Sequence, residues 1–123
     1  MSQTVGVGLD LVDVERFRTV IQRRPGVLTR LFTAREITES NSRVERLAVR
    51  FAAKEATFKV LGVGVGAARW RDVEVRLLPS GQPRLYVSGA AATLAAEAGV
   101  TTWHVSLSHT DLSAGAVVMG NRS

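Results

Sequence analysis

From Val44 to Leu61 the chain reads as one long helix, with Gly62 as its natural stop, and it carries a carboxylate out of pattern. At 100° per residue, Leu47, Ala48, Phe51 and Phe58 fall within an apolar stripe about 100° wide. Glu55 lies near the middle of that stripe, and Lys59, one turn on, lies along its edge. An ionised carboxylate is costly to bury, so it needs a cation, hydrogen bonds or a raised pKa. One explanation is an ordinary i,i+4 Glu55–Lys59 pair on a part-exposed face, worth about 0.3–0.5 kcal/mol. The other is a site, and Asp10 favours it. Asp10 ends a strand over residues 4–10 in which Val5, Val7 and Leu9 alternate with Gly6, Gly8 and Asp10, giving one apolar face. Two glycines on one face of a strand point to close approach by another backbone or by a ligand. Carboxylates from two rigid elements suit a hard, oxygen-seeking cation, most naturally Mg2+, which keeps several waters and takes other ligands from substrate phosphates. Alone, Asp10 would read as a strand-end turn residue or cap.

The remaining polar signals are weaker. LGVGVG (61–66) lacks the Gly-Lys-Ser/Thr ending of a phosphate loop and does not lead from a strand into a helix, so a plain flexible connector explains it. His104 and His109 are an odd number of residues apart and face opposite ways on a regular strand, so one site cannot use both. Ser106 and Ser108 have no triad partners, and hydroxyls near a strand end usually serve local hydrogen bonds.

These residues need elements to hold them, and the pattern supplies an α+β set in a single domain, 1–123, of mostly antiparallel strands packed against helices. Asp13 can cap a short helix carrying Val14, Phe17 and Ile21, which Pro25-Gly26 ends. Thr33 and Glu36 have capping-box spacing for a second helix. Strands near 72–78 and 84–88 flank a turn at PSGQP, and Ser88 can cap an alanine-rich helix that stops at Gly99. WHVSLSH (103–109) and AGAVVM (114–119) read as a closing hairpin. The length of 123 residues and a hydrophobic share of 46% describe one globular unit and exclude general disorder. No window approaches the ~20 apolar residues of a membrane span, and the N-terminus has no export pattern, so a cytoplasmic protein is expected. Without cysteine, disulfides, thiolate zinc and thiol nucleophiles are excluded. The net charge of +5, with 14 of 16 basic residues being Arg, favours an anionic partner: nucleic acid, a phosphorylated small molecule or an acidic protein.

Three separated segments, GVGLDLVDVERF (6–17), RFAAKEATFKVLG (50–62) and HVSLSHT (104–110), resemble the signature regions of the 4'-phosphopantetheinyl transferases of the short, holo-acyl-carrier-protein synthase type. The resemblance runs in order over nearly the whole chain, and the upstream G-x-D with KEA-x-x-K makes it specific. It implies that coenzyme A donates its phosphopantetheine arm to a serine of an apo acyl carrier protein, releasing adenosine 3',5'-bisphosphate. It further implies that Asp10 and Glu55 are the Mg2+ ligands and that Lys59 contacts the coenzyme phosphates. Arg50, Gly62, Gly64, Pro83 and His104 match positions around the coenzyme. The fold implied is α+β, and the short members form homotrimers with sites at subunit interfaces.

The implied chemistry agrees with the residues. A hydroxyl must attack a phosphorus surrounded by negative oxygens, which Mg2+ and Lys59 would neutralise. Glu55, directly or through a metal-bound water, is the first candidate for the base, so Glu55 and Lys59 are the expected catalytic pair. Arg16, Arg18, Arg23 and Arg24 follow directly after the strand that delivers Asp10 and could dock an acidic carrier protein, although most charge runs are simply solvated faces. The rival readings are a basic nucleic-acid binder, which would want interleaved aromatics or a known motif and has neither; a magnesium-dependent nuclease or phosphohydrolase; and a silent structural subunit.

Overall fold

Helix α4 is the axis on which the other elements are arranged. In the computed structural model, which describes residues 2–123, the order is β1 (Gln3–Asp13), α1 (Val14–Arg23), α2 (Val27–Leu31), α3 (Ala34–Ser40) and α4 (Val44–Leu61). There follow a 3-10 turn (Trp70–Asp72), β2 (Val73–Leu77), β3 (Pro83–Val87), α5 (Gly89–Ala98), β4 (Thr102–His109) and β5 (Ser113–Arg122). The fold is α+β, and every strand pairing is antiparallel. One sheet runs β1-β5-β4, and β2 with β3 forms a second. Helix α4 packs across β1 and β5, and ten of its residues, including Ala48, Ala52, Ala53 and Ala56, are buried. Small side chains let the helix lie close to the sheet along most of its length. Among the described residues no helix is long and apolar enough to cross a membrane.

The local signals hold in detail. Asp13 accepts from the Arg16 amide at 2.8 Å and caps α1. Thr33 and Glu36 form a reciprocal capping box. Gly62 and Gly99 end α4 and α5 in the left-handed region, with φ of +68° and +82°. Ser88 differs: it stands at the N-cap of α5, but its hydroxyl donates to the Asp72 carbonyl.

One expectation about β1 needs correction, and the structure adds the direction in which its apolar face turns. The strand does not end at Asp10 but continues to Asp13, because β5 offers it a partner over that whole length and Asp10 pairs with Ala116. Its apolar face also points away from the helix, leaving Val7, Leu9 and Leu11 at 56%, 57% and 73% exposure. The glycine face is the one turned to α4, since a Cβ on Gly8 would stand 2.0 Å from the Ala56 carbonyl oxygen. The close approach read from Gly6 and Gly8 is therefore made by another backbone.

That contact yields a prediction. Gly8→Ala forces strand and helix apart and should cost about 3 kcal/mol in urea unfolding, at or above the usual range for overpacking. Gly64→Ala, where a Cβ meets nothing within 4 Å, should stay close to wild type. Equal stability of the two variants would show that the β1–α4 spacing is soft.

Candidate active site

Asp10 lies on the same face of β1 as Gly8, so the close approach at the glycine also brings this carboxylate against α4. There the Lys59 ammonium donates to Asp10 Oδ1 and to the Leu9 carbonyl, both at 2.9 Å. The Asp10 side chain is 14% exposed and that of Lys59 is 56% exposed. Glu55, one turn back, is half-buried beside them. Burial raises its carboxyl to about 7, and a hydrogen bond with Asp10 and that residue's negative charge add to the rise, while Lys59 opposes it. The hydrogen bond to Asp10 holds the Lys59 ammonium above its ordinary value. The pairing expected within the helix has thus been exchanged for one between elements: Lys59 binds Asp10, leaving Glu55 the group short of a cation.

Two hollows meet at Glu55. A small one of about 150 Å3 is walled by Glu55, Phe58, Lys59, Val63, Gly64 and Trp70. The positive φ of Gly62 turns the chain out of α4 so that Gly64 lies beside the two charged groups. A larger groove of about 550 Å3 runs from Glu55 past Phe51 to Arg16 and Val20 of α1. Of the four arginines singled out there, Arg16, Arg23 and Arg24 are exposed, Arg18 pairs with Glu15 at 3.3 Å, and Arg16 alone lines the groove.

The other expected coenzyme residues lie elsewhere on this chain. Arg50, five residues before Glu55, projects roughly 140° around the helix from it. It helps to line a cavity of about 570 Å3 with Arg46, Gln82, Pro83 and His109. Arg50 is 3% exposed; one terminal nitrogen donates to the Arg46 carbonyl at 3.0 Å, whereas Nε and Nη2 have no partner among the described residues. Burial lowers its pKa from the usual guanidinium value. Two buried guanidinium nitrogens without partners, on a residue that lines a cavity, are suited to an anion that reaches them. His104 borders an adjoining hollow with Pro83 and Arg84. Asp10, Glu55, Lys59, Gly62 and Gly64 thus form one group, and Arg50, Pro83 and His104 another.

Among the described residues no three His, Asp or Glu side chains converge as a complete metal site. The Asp10–Glu55 donor set nevertheless fits Mg2+, which is commonly held by one or two carboxylates with the remaining ligands drawn from water and phosphate. The buried Lys54–Glu36 pair and its hydrogen bond to the Trp70 carbonyl were not anticipated from sequence. The one available hint was that Lys54 interrupts the alanine-rich run of α4.

The raised Glu55 carboxyl has a measurable consequence. Because its folded value, about 7, lies above the ordinary 4.5, the folded state binds this proton more tightly than the unfolded chain does. Stability in the presence of a chelator should therefore fall as pH rises through that interval. Glu55→Gln should remove the fall, so the variant's Tm should match wild type below pH 4.5 and exceed it above pH 7. A Tm difference that stays constant across this range would contradict the assignment.

Residues 6–117 match the family model described as the 4'-phosphopantetheinyl transferase superfamily. The chain is 48% identical over 118 residues to holo-acyl-carrier-protein synthase of Streptomyces avermitilis, covering 94% of this chain and 95% of the relative. It is 46% identical over 121 residues to that of Salinispora arenicola, covering 96% and 98%. Among solved structures, acyl carrier protein synthase of Mycobacterium tuberculosis matches with a TM-score of 0.77 at 36% identity, covering 96% of this chain and 97% of that one. The Helicobacter pylori synthase in complex with coenzyme A matches with a TM-score of 0.84 at 27% identity, covering 93% and 98%. The chain therefore belongs to the 4'-phosphopantetheinyl transferase superfamily and is an enzyme of its short, holo-acyl-carrier-protein synthase type.

Proposed function

We propose that this protein transfers the 4'-phosphopantetheine arm of coenzyme A to a serine of an apo acyl carrier protein, with Mg2+ held by Asp10 and Glu55. The observation that carries this is the convergence of Asp10, from β1, on Glu55 and Lys59 of α4 in a chain of this family. In the transfer, serine Oγ bonds to the phosphorus that carries the pantetheine arm. The pyrophosphate P–O bond breaks, and adenosine 3',5'-bisphosphate leaves. When bound, Mg2+ supplies positive charge at the pyrophosphate oxygens. Lys59, on an exposed and flexible stem, adds its own charge to phosphates that lie within its reach. Glu55 is the acceptor at hand for the serine proton. Arg50, with its unpaired buried N–H groups, and Pro83 and His104 beside it, contact the coenzyme's anionic end.

The separation of these two groups within one chain supports a homotrimer in which a neighbouring copy completes the site. The outward apolar face of β1, with Leu112 at 75% exposure, gives that assembly a surface to bury. Carrier proteins of fatty-acid or polyketide synthesis are the intended partners, in the cytoplasm.

The experiment is incubation with coenzyme A, Mg2+ and an apo carrier protein, read by mass spectrometry. The carrier should gain one phosphopantetheine arm with wild-type enzyme, and Asp10→Asn should lose at least a hundredfold in rate while remaining folded. Coenzyme cleavage without carrier modification would favour a phosphohydrolase instead.

Docking can be tested separately. The groove from Arg16 and Val20 to Glu55 leads from the basic helix to the reacting group. Single exposed charges contribute little, so Arg16→Glu combined with Arg23→Glu should raise the carrier KM severalfold, with the coenzyme KM barely changed. Wild-type carrier affinity should also weaken as salt rises. A salt-independent carrier KM that the double variant leaves alone would place the docking surface elsewhere.

A further inference from the structure

Lys54, one residue before Glu55 and on a different face of α4, is a fully buried charge. Its side chain is 0% exposed, as is that of Glu36, whose Oε1 accepts from Lys54 Nζ at 2.7 Å. Nζ also donates to the Trp70 carbonyl at 3.2 Å and to the Val73 carbonyl, so all three ammonium hydrogens are used. Glu36 is equally committed, accepting from the Thr33 amide at 3.1 Å and, through Oε2, from the Val75 amide at 3.0 Å. The pair therefore holds the backbone at Trp70, Val73 and Val75 from within, fixing where the glycine-rich loop re-enters the fold.

Trp70 closes that loop and lines the hollow beside Glu55. Its indole lies 5.1 Å from the ring of Phe51 and 5.1 Å from that of Phe58. These residues are four before and three after Glu55, so the ring spans the helix face at the level of Glu55. The indole and Glu55 are walls of the same small hollow, together with Gly64 and Lys59.

We propose that Lys54 and Trp70 are positioning residues for the transfer: Lys54 anchors the Trp70 carbonyl, and the indole so placed forms the wall that fixes Glu55 toward the coenzyme. The proposal rests on Glu55 facing the coenzyme, as proposed in the preceding subsection. A purely structural pair would support the core without affecting coenzyme recognition.

The test uses the full chain in a Trp103→Phe background, which leaves Trp70 as the sole indole of the chain's two. Removing Lys54 alone would strand a buried carboxylate, so Glu36→Gln and Lys54→Met are combined. In that variant Trp70 emission should shift to the red and acrylamide quenching should rise, while the far-ultraviolet dichroism is kept. Trp70→Leu tests the second link without touching the ion pair. At a temperature where it is folded, kcat/KM for coenzyme A should fall at least tenfold, the carrier KM should hold, and Trp70→Phe should recover most of the loss. Unshifted Trp70 emission in the folded double variant would overturn the anchoring role. Coenzyme kinetics unchanged in Trp70→Leu would overturn the positioning role. If the unsubstituted chain transfers nothing to carrier protein, the functional proposal fails, whereas the emission result still decides whether Lys54 holds Trp70.

Discussion

The fold and its site both depend on the distance between β1 and α4. At Gly8 the strand comes so close to Ala56 that no side chain fits between them. At that distance a short carboxylate two residues along meets the ammonium that Lys59 extends back from the next turn of the helix. Any larger residue at Gly8 would move Asp10 out along with the strand. Alanines along α4 serve the same end on the β5 side, where Ala116 is the ladder partner of Asp10 itself. Close packing here is less a source of stability than a means of setting one inter-element distance.

Holding helix and strand together does not place the loop that covers their junction. Loop 62–69 makes few backbone bonds of its own, chiefly Val63 to Phe58 and Ala67 to Gly64, and its course is fixed at its two ends. One end is the left-handed turn at Gly62; the other is Trp70, tied to Lys54. A buried ion pair is weak support for stability in itself, because desolvation offsets most of the attraction. Glu36 and Lys54 are better understood by what they hold. Besides each other, each residue binds two backbone groups, Lys54 the Trp70 and Val73 carbonyls and Glu36 the Thr33 and Val75 amides, so the pair specifies one arrangement of α3, α4 and β2.

Local signals were legible where short-range chemistry decides. Asp13, Thr33 with Glu36, Gly62 and Gly99 act over four residues or fewer, and each ends or begins a helix where its chemistry demands. The Asp10–Glu55–Lys59 cluster was legible because a carboxylate on an apolar stripe is conspicuous and the family motifs flank it. Periodicity failed at Lys54, since α4 is enclosed on more than one side and its buried surface is wider than a single stripe. It also assigned β1 an apolar face without indicating which way that face turns. Glycine, lacking a side chain, carries no hydropathy signal, yet the glycine side is the one packed against the helix. Arg50 joined the coenzyme set only through the family resemblance, and the fold places it around α4 from Glu55, a separation no linear motif expresses.

Charge balance gives the junction its chemical character. Asp10 and Glu55 bring two carboxylates to a partly dehydrated place, and Lys59 brings one ammonium, already committed to Asp10. With protein groups alone, one negative charge is left over. It can be neutralised by a proton, which burial and the neighbouring Asp10 favour by raising the Glu55 carboxyl to about 7, or by a further cation. A second lysine would have relieved the imbalance from within and closed the site to other cations. Gly64 instead lines the same small hollow as Glu55 and Lys59, and a Cβ there would meet nothing within 4 Å, so that side of the junction stays open. The same deficit that lowers the stability of the free protein near neutral pH is therefore one that a bound cation would relieve.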